Sequence, residues 1–481
     1  MPTIYINLDY FLNLGNMPFP LMLARLFLDG GWILVLIVLI QGGWTMWVQS
    51  RNIKYNRAIT YCLLAIDVPK MNEQTPKAVE QIFSQVAGAY SGFDNIEKYW
   101  LGKTQATFSF EIVSIDGYVQ FLVHCAVRYR DLIEAAFYAQ YPEAEIVEVA
   151  DYTTDVPATY PDPEWDAWGT EFALKKPSAF PLRTYIQFEH SPSEFYFKDP
   201  ISPLLEVMSS MKAGERLWYQ ILISPSDDSW KDASKELVNK IIGKKIPPKL
   251  TILDHAVNVP LTVLSEIGSA VMSSGEAPPP KKPEAGGKIT DLTPGERGLV
   301  EQIQLKASKH GFNTKLRMVY VGKRGVFNKG KVIAAFKGAL GIFTALDSNG
   351  LKPYGKVTPK SDYFWERWSV PKKTSAIVRN YRNRSGKGAT AYILNVEELA
   401  TLYHFPFMQV KAPLVKKTEA KRGEPPVALP TQNSGSGKPF KPAMKKPAAP
   451  AALPVVPVEP ELPGADEELE LPSDELPPTV Q

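Results

Sequence analysis

The sequence predicts an α+β protein carried on one transmembrane helix. Three observations lead there: an uncharged apolar run near the amino terminus, two successive series of strand and helix signals of the β-α-β-β-α-β type, and a Pro-, Lys- and Glu-rich carboxy-terminal stretch. The apolar run extends from Gly31 to Val48, GWILVLIVLIQGGWTMWV, and just suffices to cross a hydrocarbon core of ~30 Å. Trp32, Trp44 and Trp47 lie toward its ends, where indole rings favour the headgroup region. Gln41 reads equally as a contact to another helix or as a tolerated amide.

Arg51, Lys54 and Arg57 follow the run, whereas no Lys or Arg precedes Arg25, so the positive-inside bias puts the carboxy-terminal side in the cytoplasm and the amino terminus outside. A cleaved signal would need a basic start and small residues at the cut, and a retained anchor in the inner membrane is expected instead. Residues 1–30, with Asp9, Pro18, Pro20 and Arg25 among aromatics and leucines, read as an extracytoplasmic or interfacial segment.

The first cytoplasmic domain is expected over 58–152. An apolar run from Ala58 to Ile66 is followed by Thr75-Pro76, an N-cap with proline at the first helical position. Val79, Ile82, Phe83, Val86, Ala87 and Tyr90 then form one apolar stripe, with Gly92 as the stop. Asp116-Gly117 joins two alternating strands, Thr107 to Ile115 and Tyr118 to Val127. A helix from Arg130 to Tyr141 and a strand from Ile146 to Val149 complete the β-α-β-β-α-β order of a ferredoxin-like domain.

A second such domain is expected over 180–406. Its signals are a strand at Thr184 to Phe188, a helix at Pro203 to Met211, a strand at Leu217 to Ser224 and a helix at Trp230 to Ile242. A flexible insertion over 271–290, with Ala277 to Pro280 and Gly286-Gly287, interrupts it. Thr293 with Glu296 has capping-box spacing for the next helix, and strand Lys315 to Val321, helix Lys331 to Phe343 and strand Ala391 to Leu394 follow. Asn395 with Glu398 opens a short last helix. The tail, 411–481, lacks core-forming residues and is expected to be disordered, with basic residues up to Lys446 preceding acidic ones from Glu459.

No catalytic centre is legible. With 54 basic and 51 acidic residues, the net charge of +3 gives no global pull toward nucleic acid. Cys62 and Cys125 stand in apolar runs and read as core residues in a reducing compartment. Gly325 to Val332 resembles a phosphate-binding loop but has Val332 where a Mg²⁺-binding hydroxyl is needed; Ser385 to Gly388 reads as a turn. His124, His190, His255, His310 and His404 have no metal-ligand spacing, so no metal or cofactor is expected. Arg379, Tyr381, Arg382 and Arg384 interleave cations with an aromatic ring and read as a solvated loop or as nucleic-acid contacts.

Thr107 to Gly117, Leu132 to Ala136, Ala139 to Pro142 and Ile393 to Pro406 together resemble the amino-terminal region, of unknown function, of bacterial membrane-anchored proteins related to type IV secretion. In those relatives this region leads into a HerA/FtsK-class DNA-translocating ATPase of the coupling-protein type. Here the Pro-rich tail stands where the motor would begin. The resemblance therefore implies a non-catalytic membrane scaffold for a separate ATPase or other secretion-complex subunits, with membrane lipid as a partner and ring-like self-association to match the motor. The alternative is a membrane-tethered module that binds DNA or RNA.

Overall fold

The computed structural model describes residues 17–69, 72, 74–188, 199–243, 292–345 and 347–406, all within one compact unit. The expected insertion over 271–290 and the expected tail over 411–481 lie outside the described residues, as do residues 1–16.

Helix α1, Phe19–Leu26, passes through a wide turn at Phe27–Gly31 into α2, Trp32–Arg57. Gly30 takes φ 123° at the break, a conformation open to glycine without steric cost. Among the described residues no single helix is long and apolar enough to cross a membrane. The expected span over 31–48 falls, from Trp32 on, within the single helix α2, so this finding bears on its apolar length and not on a break inside it. Gln41, Gly42 and Gly43 dilute the apolar run, and α2 continues into Arg51, Lys54 and Arg57. The bent pair Phe19–Gly31 and Val35–Arg57, 67° apart, together has the length and composition of a broken span or re-entrant loop.

The next elements are β1 (Tyr61–Asp67), α3 (Pro76–Ala87), β2 (Phe108–Ile115), β3 (Tyr118–Ala126), α4 (Arg130–Gln140) and β4 (Glu145–Glu148). Pro76 starts α3, and Val79, Ile82, Phe83 and Val86 bury its apolar stripe. The β2–β3 turn puts Asp116 at φ 54° and Gly117 at φ 86°, the two positive values that a tight hairpin requires. These strands lie in the order β4-β1-β3-β2, antiparallel throughout.

The chain continues with β5 (Trp165–Leu174), α5 (Ser202–Ser209), β6 (Glu215–Pro225), α6 (Trp230–Ile241), α7 (Pro294–Ser308), β7 (Gly311–Lys323), α8 (Lys329–Gly341) and β8 (Leu351–Pro353). Then come α9 (Val370–Arg382), β9 (Tyr392–Asn395) and α10 (Val396–Leu402). The order β6-β7-β5-β8 repeats that of the first half, and β9 pairs with the start of β7. β2 and β6 pair antiparallel from Phe108↔Ile223 to Ile115↔Arg216. Among the described residues, the strands of both halves thus form one 9-stranded sheet.

Two expected elements are corrected. Tyr185–Phe188 is a short helical turn; the strand that begins the second half is β5, in the interval left between the two expected domains. Residues 379 to 382 end α9 and do not belong to a solvated loop. The strand expected at 391–394 forms as β9 beside the start of β7, and the short β8 at the end of the sheet has no counterpart among the expected strands.

On one face of the sheet, α3, α4, α5, α8 and α10 cover a single apolar core that includes residues of both halves. Tyr403 and Phe405, just past α10, enter the first half: the Phe405 ring lies 4.7 Å from Phe121, 5.2 Å from Tyr141 and 6.1 Å from Phe137. Lys309 fastens the same region by bridging Glu80 of α3 and Glu397 of α10 at 2.6 and 2.7 Å. Beneath α10, Lys306 and Glu398 form a buried ion pair at 2.9 Å, and Glu398 also accepts from the Leu182 amide at 2.7 Å.

Because Tyr403 and Phe405 close the core of the first half, the two halves are expected to unfold together. Phe405→Ala should cost about 3–5 kcal/mol, the usual range for truncating a buried aromatic ring. Urea titrations followed by near- and far-UV circular dichroism should show one shifted transition; separate transitions for the two halves would contradict a shared core.

Candidate functional site

The opposite sheet face is covered by α9 and by the chain from Val149 to Trp165, around Trp218, Val319, Val321, Ile377 and Tyr381. One register row on this face is polar. Glu171 of β5 lies opposite Arg317 of β7, Arg317 opposite Gln220 of β6, and Gln220 opposite Glu111 of β2. All four are buried, so each must find its partners inside the protein.

Arg317 Nε donates to Glu171 at 2.8 Å, and Nη1 donates to Gln220 Oε1 at 3.2 Å and to the Asn380 carbonyl at 3.0 Å. Its Nη2 donates to the carbonyls of Lys387, at 2.6 Å, and Ser385. Gln220 Nε2 donates to Glu111 Oε1 at 2.9 Å. Glu111 also accepts from Ser109 at 2.6 Å, from the Tyr152 hydroxyl at 2.8 Å and from Arg384 at 3.1 and 3.2 Å. Burial opposes ionisation of Glu111, but the Arg384 charge and these hydrogen bonds outweigh it and hold the carboxyl below its ordinary range. Asp151 accepts from the far side of the same guanidinium.

These bonds hold the segment after α9. The Ala389 amide donates to Glu171, and Gly388, at φ 115°, passes so close that a Cβ would collide with that carboxylate. Ser385 to Gly388, expected to be a turn, thereby encloses the Arg317 guanidinium.

The outer side of this segment forms one wall of a cleft of about 1220 Å³. The carboxy-terminal end of α2 contributes Ile53, Asn56 and Arg57, and the ends of β1, β2, β3, β6 and β7 supply the floor. Arg57, Arg379 and Lys387 are exposed and Arg382 is half-buried. Among the described residues none of these four has a carboxylate within 4.0 Å. Lys315 donates to the Gly386 carbonyl, and Asp151, the acidic lining residue, is engaged by Arg384. On the floor, Tyr61 is exposed and stacks on His124, with ring centres 4.9 Å apart and planes 13° apart. Desolvation, with the nearby Arg384 charge, lowers the His124 pKa to about 4, so at neutral pH its imidazole adds no charge.

Of the expected nucleic-acid contacts, the structure brings Arg379, Arg382 and Arg384 to the lining of the cleft. Tyr381 is fully buried with its hydroxyl 2.8 Å from that of Tyr152, and the Arg384 guanidinium is engaged by Glu111 and Asp151. Reading the sequence missed Lys387, Lys315 and the Tyr61–His124 pair and took Arg57 only as a topology determinant, because these residues converge only through strand pairing. Trp32, Gln41, Trp44, Trp47 and Lys54 are exposed along α2, whereas Arg51 places its guanidinium 4.4 Å above the Trp47 ring.

At the phosphate-loop look-alike, Asn328 accepts from the Lys331 amide at 3.1 Å and caps α8 with the chain's own side chain, occupying a donor that a phosphate would need. Among the described residues no group of three or more His, Cys, Asp or Glu could hold a metal ion. Cys62 and Cys125 are buried, unoxidised cross-strand neighbours.

The polar row and the adjacent His124 lead to measurable outcomes. Arg317→Ala strands Glu171 in the interior and should cost about 3–5 kcal/mol, as for other broken buried pairs, measured by urea unfolding. In NMR titrations His124 should stay neutral down to about pH 4. A folded-state pKa below the ordinary histidine value means the unfolded chain binds the proton first. Stability should therefore decline as pH falls from about 6.5 toward 4. His124→Gln should remove that part of the decline.

No curated protein matches the chain. A family model described as a domain of unknown function, DUF8128, matches residues 69–329, from just beyond β1 to the start of α8. The match covers more than half of the sequence, and the chain belongs to the DUF8128 family.

Proposed function

We propose that this protein is a non-catalytic, membrane-tethered module that holds a nucleic-acid strand in the cleft beside α2. The observation that carries the reading is the convergence of Arg57, Arg379, Arg382 and Lys387, without carboxylate partners among the described residues, around the exposed Tyr61 ring stacked on the half-buried His124. Unpaired cations that follow a backbone, together with a ring on which a base stacks, are the combination used for single strands. The volume of about 1220 Å³ exceeds the ~300–1,000 Å³ of ordinary small-molecule pockets and suits a segment of polymer.

The strand orders β4-β1-β3-β2 and β8-β5-β7-β6 support two ferredoxin-like halves as the scaffold. The bent α1–α2 pair serves as the anchor in the inner membrane, with the sheet on the cytoplasmic side and the amino terminus outside, in keeping with Arg51, Lys54 and Arg57. The type IV secretion resemblance supplies the partner: a separate HerA/FtsK-class ATPase that moves the held strand, matched by self-association of this module.

The test uses the full-length protein in mild detergent and fluorescence anisotropy with single-stranded DNA and RNA oligonucleotides. Affinity should fall with salt at a log–log slope of about 0.7 per neutralised phosphate. Combined Arg379→Ala and Arg382→Ala should reduce that slope by about 1 to 2, and Tyr61→Ala should cost about 1–3 kcal/mol of binding through lost stacking. Binding that is absent, insensitive to salt or unchanged in these variants would end the reading. Recovery of the ATPase after nuclease treatment would support the scaffold role; loss of the ATPase on nuclease treatment would reduce it to a shared nucleic acid.

A further inference from the structure

Between α3 and β2 the chain makes a wide helical turn, Ile96–Leu101, that exposes apolar residues without covering any core: Ile96 is 66% exposed, Trp100 60% and Leu101 50%. A small isolated patch of this kind is ordinary on a soluble surface. This one is built onto α2. Trp44 and Tyr99 rings lie 5.6 Å apart, Trp47 and Trp100 rings 5.8 Å apart, and the Arg51 guanidinium lies over both Trp47 and Trp100, at 4.4 and 5.5 Å.

The attachment is backbone-close. Gly102, at φ 71°, lies against the Arg51 peptide, where a Cβ would stand 2.6 Å from the Arg51 carbonyl oxygen. Next to it, Thr104 donates to Asn56 of α2 at 2.8 Å. Within the turn, Lys103 pairs with Glu97, whose amide in turn donates to Asp94 at 2.7 Å.

The exposed side chains of the turn thus adjoin the exposed apolar surface of α2, which includes Ile40, Trp44, Met46 and Trp47. Trp44 and Trp47 close the apolar run just before Arg51, Lys54 and Arg57, the level at which indole rings meet headgroups. A turn fixed at that level presents Ile96, Trp100 and Leu101 at the same depth, with Lys98 and Arg51 positioned for anionic headgroups.

We infer that Ile96–Leu101 is a second membrane contact, a shallow wedge in the bilayer interface beside α2. It gives the sheet a second point of attachment and fixes the direction in which the cleft faces. The inference rests on α2 being embedded in the bilayer.

The experiment reconstitutes the full chain into vesicles of phosphatidylethanolamine and phosphatidylglycerol, with bimane attached at Ile96→Cys, Ile37→Cys or Tyr118→Cys. Cys62 and Cys125 are buried, and labelling of the wild type sets the background. Ile37 reports on α2, and Tyr118, 47% exposed at the β2–β3 hairpin, reports on the far end of the sheet.

With a nitroxide lipid that quenches near the headgroups, the label at 96 should lose about half of its emission, as expected ~5–10 Å into the interface. The label at 37 should respond to a deep quencher and the label at 118 to neither. Adding Gly102→Val, which cannot keep the close approach to Arg51, should restore emission at 96 and leave 37 unchanged. If 37 is quenched while 96 behaves like 118, the wedge is wrong and the embedded helix stands. If 37 is not quenched either, the embedded helix fails and the wedge fails with it.

Discussion

The Arg317 guanidinium is the interaction on which the second sheet face depends. It stands in the centre of β7, away from water, and its donors reach Glu171 on one neighbouring strand, Gln220 on the other, and three carbonyls in and after α9. Removing such a charge from water is costly, and the cost is offset only when the geometry satisfies nearly every donor. That condition constrains the register of β5, β6 and β7 and the path of residues 383–391 together. A slip of one residue would turn the charged row toward the apolar core on the other face.

Through Gln220 the same row crosses the seam between the halves to Glu111, where Arg384 and Asp151 complete it. The chemistry of the cleft follows from this division of labour. Carboxylates near the sheet face are occupied by Arg317 and Arg384, so Arg57, Arg379, Arg382 and Lys387 keep an unneutralised field at the rim. A positively lined concavity with low-dielectric walls raises the local concentration of anions without any change in the near-zero net charge of the whole chain.

Several self-contained local signals were legible. Asp116-Gly117 forms its hairpin, and the Thr293–Glu296 and Asn395–Glu398 capping boxes are both made. What escaped depends on distant partners. β5 carries Gly169, Thr170 and Glu171 at its centre, so its sequence looks polar until Arg317 neutralises Glu171. β8 is too short to leave a periodic trace. α9 has Lys372, Lys373, Arg379 and Arg382 among its apolar residues, and nothing near Tyr381 indicates that Tyr152 awaits its hydroxyl. The merging of the halves was hidden for the same reason, since β2 and β6 read as strands whether or not they pair.

The placement of Tyr403 and Phe405 inside the first half bears on how the chain matures in a cell. Domains made on the ribosome ordinarily close one after another, amino-terminal first. Here β1 to β4 emerge early but lack the aromatic plug that comes with Tyr403 and Phe405. α1 and α2 are complete long before the sheet behind them can close. During that interval the apolar face of β1 to β4 stays unfinished, and shielding by chaperones is needed until residue 405 has been translated.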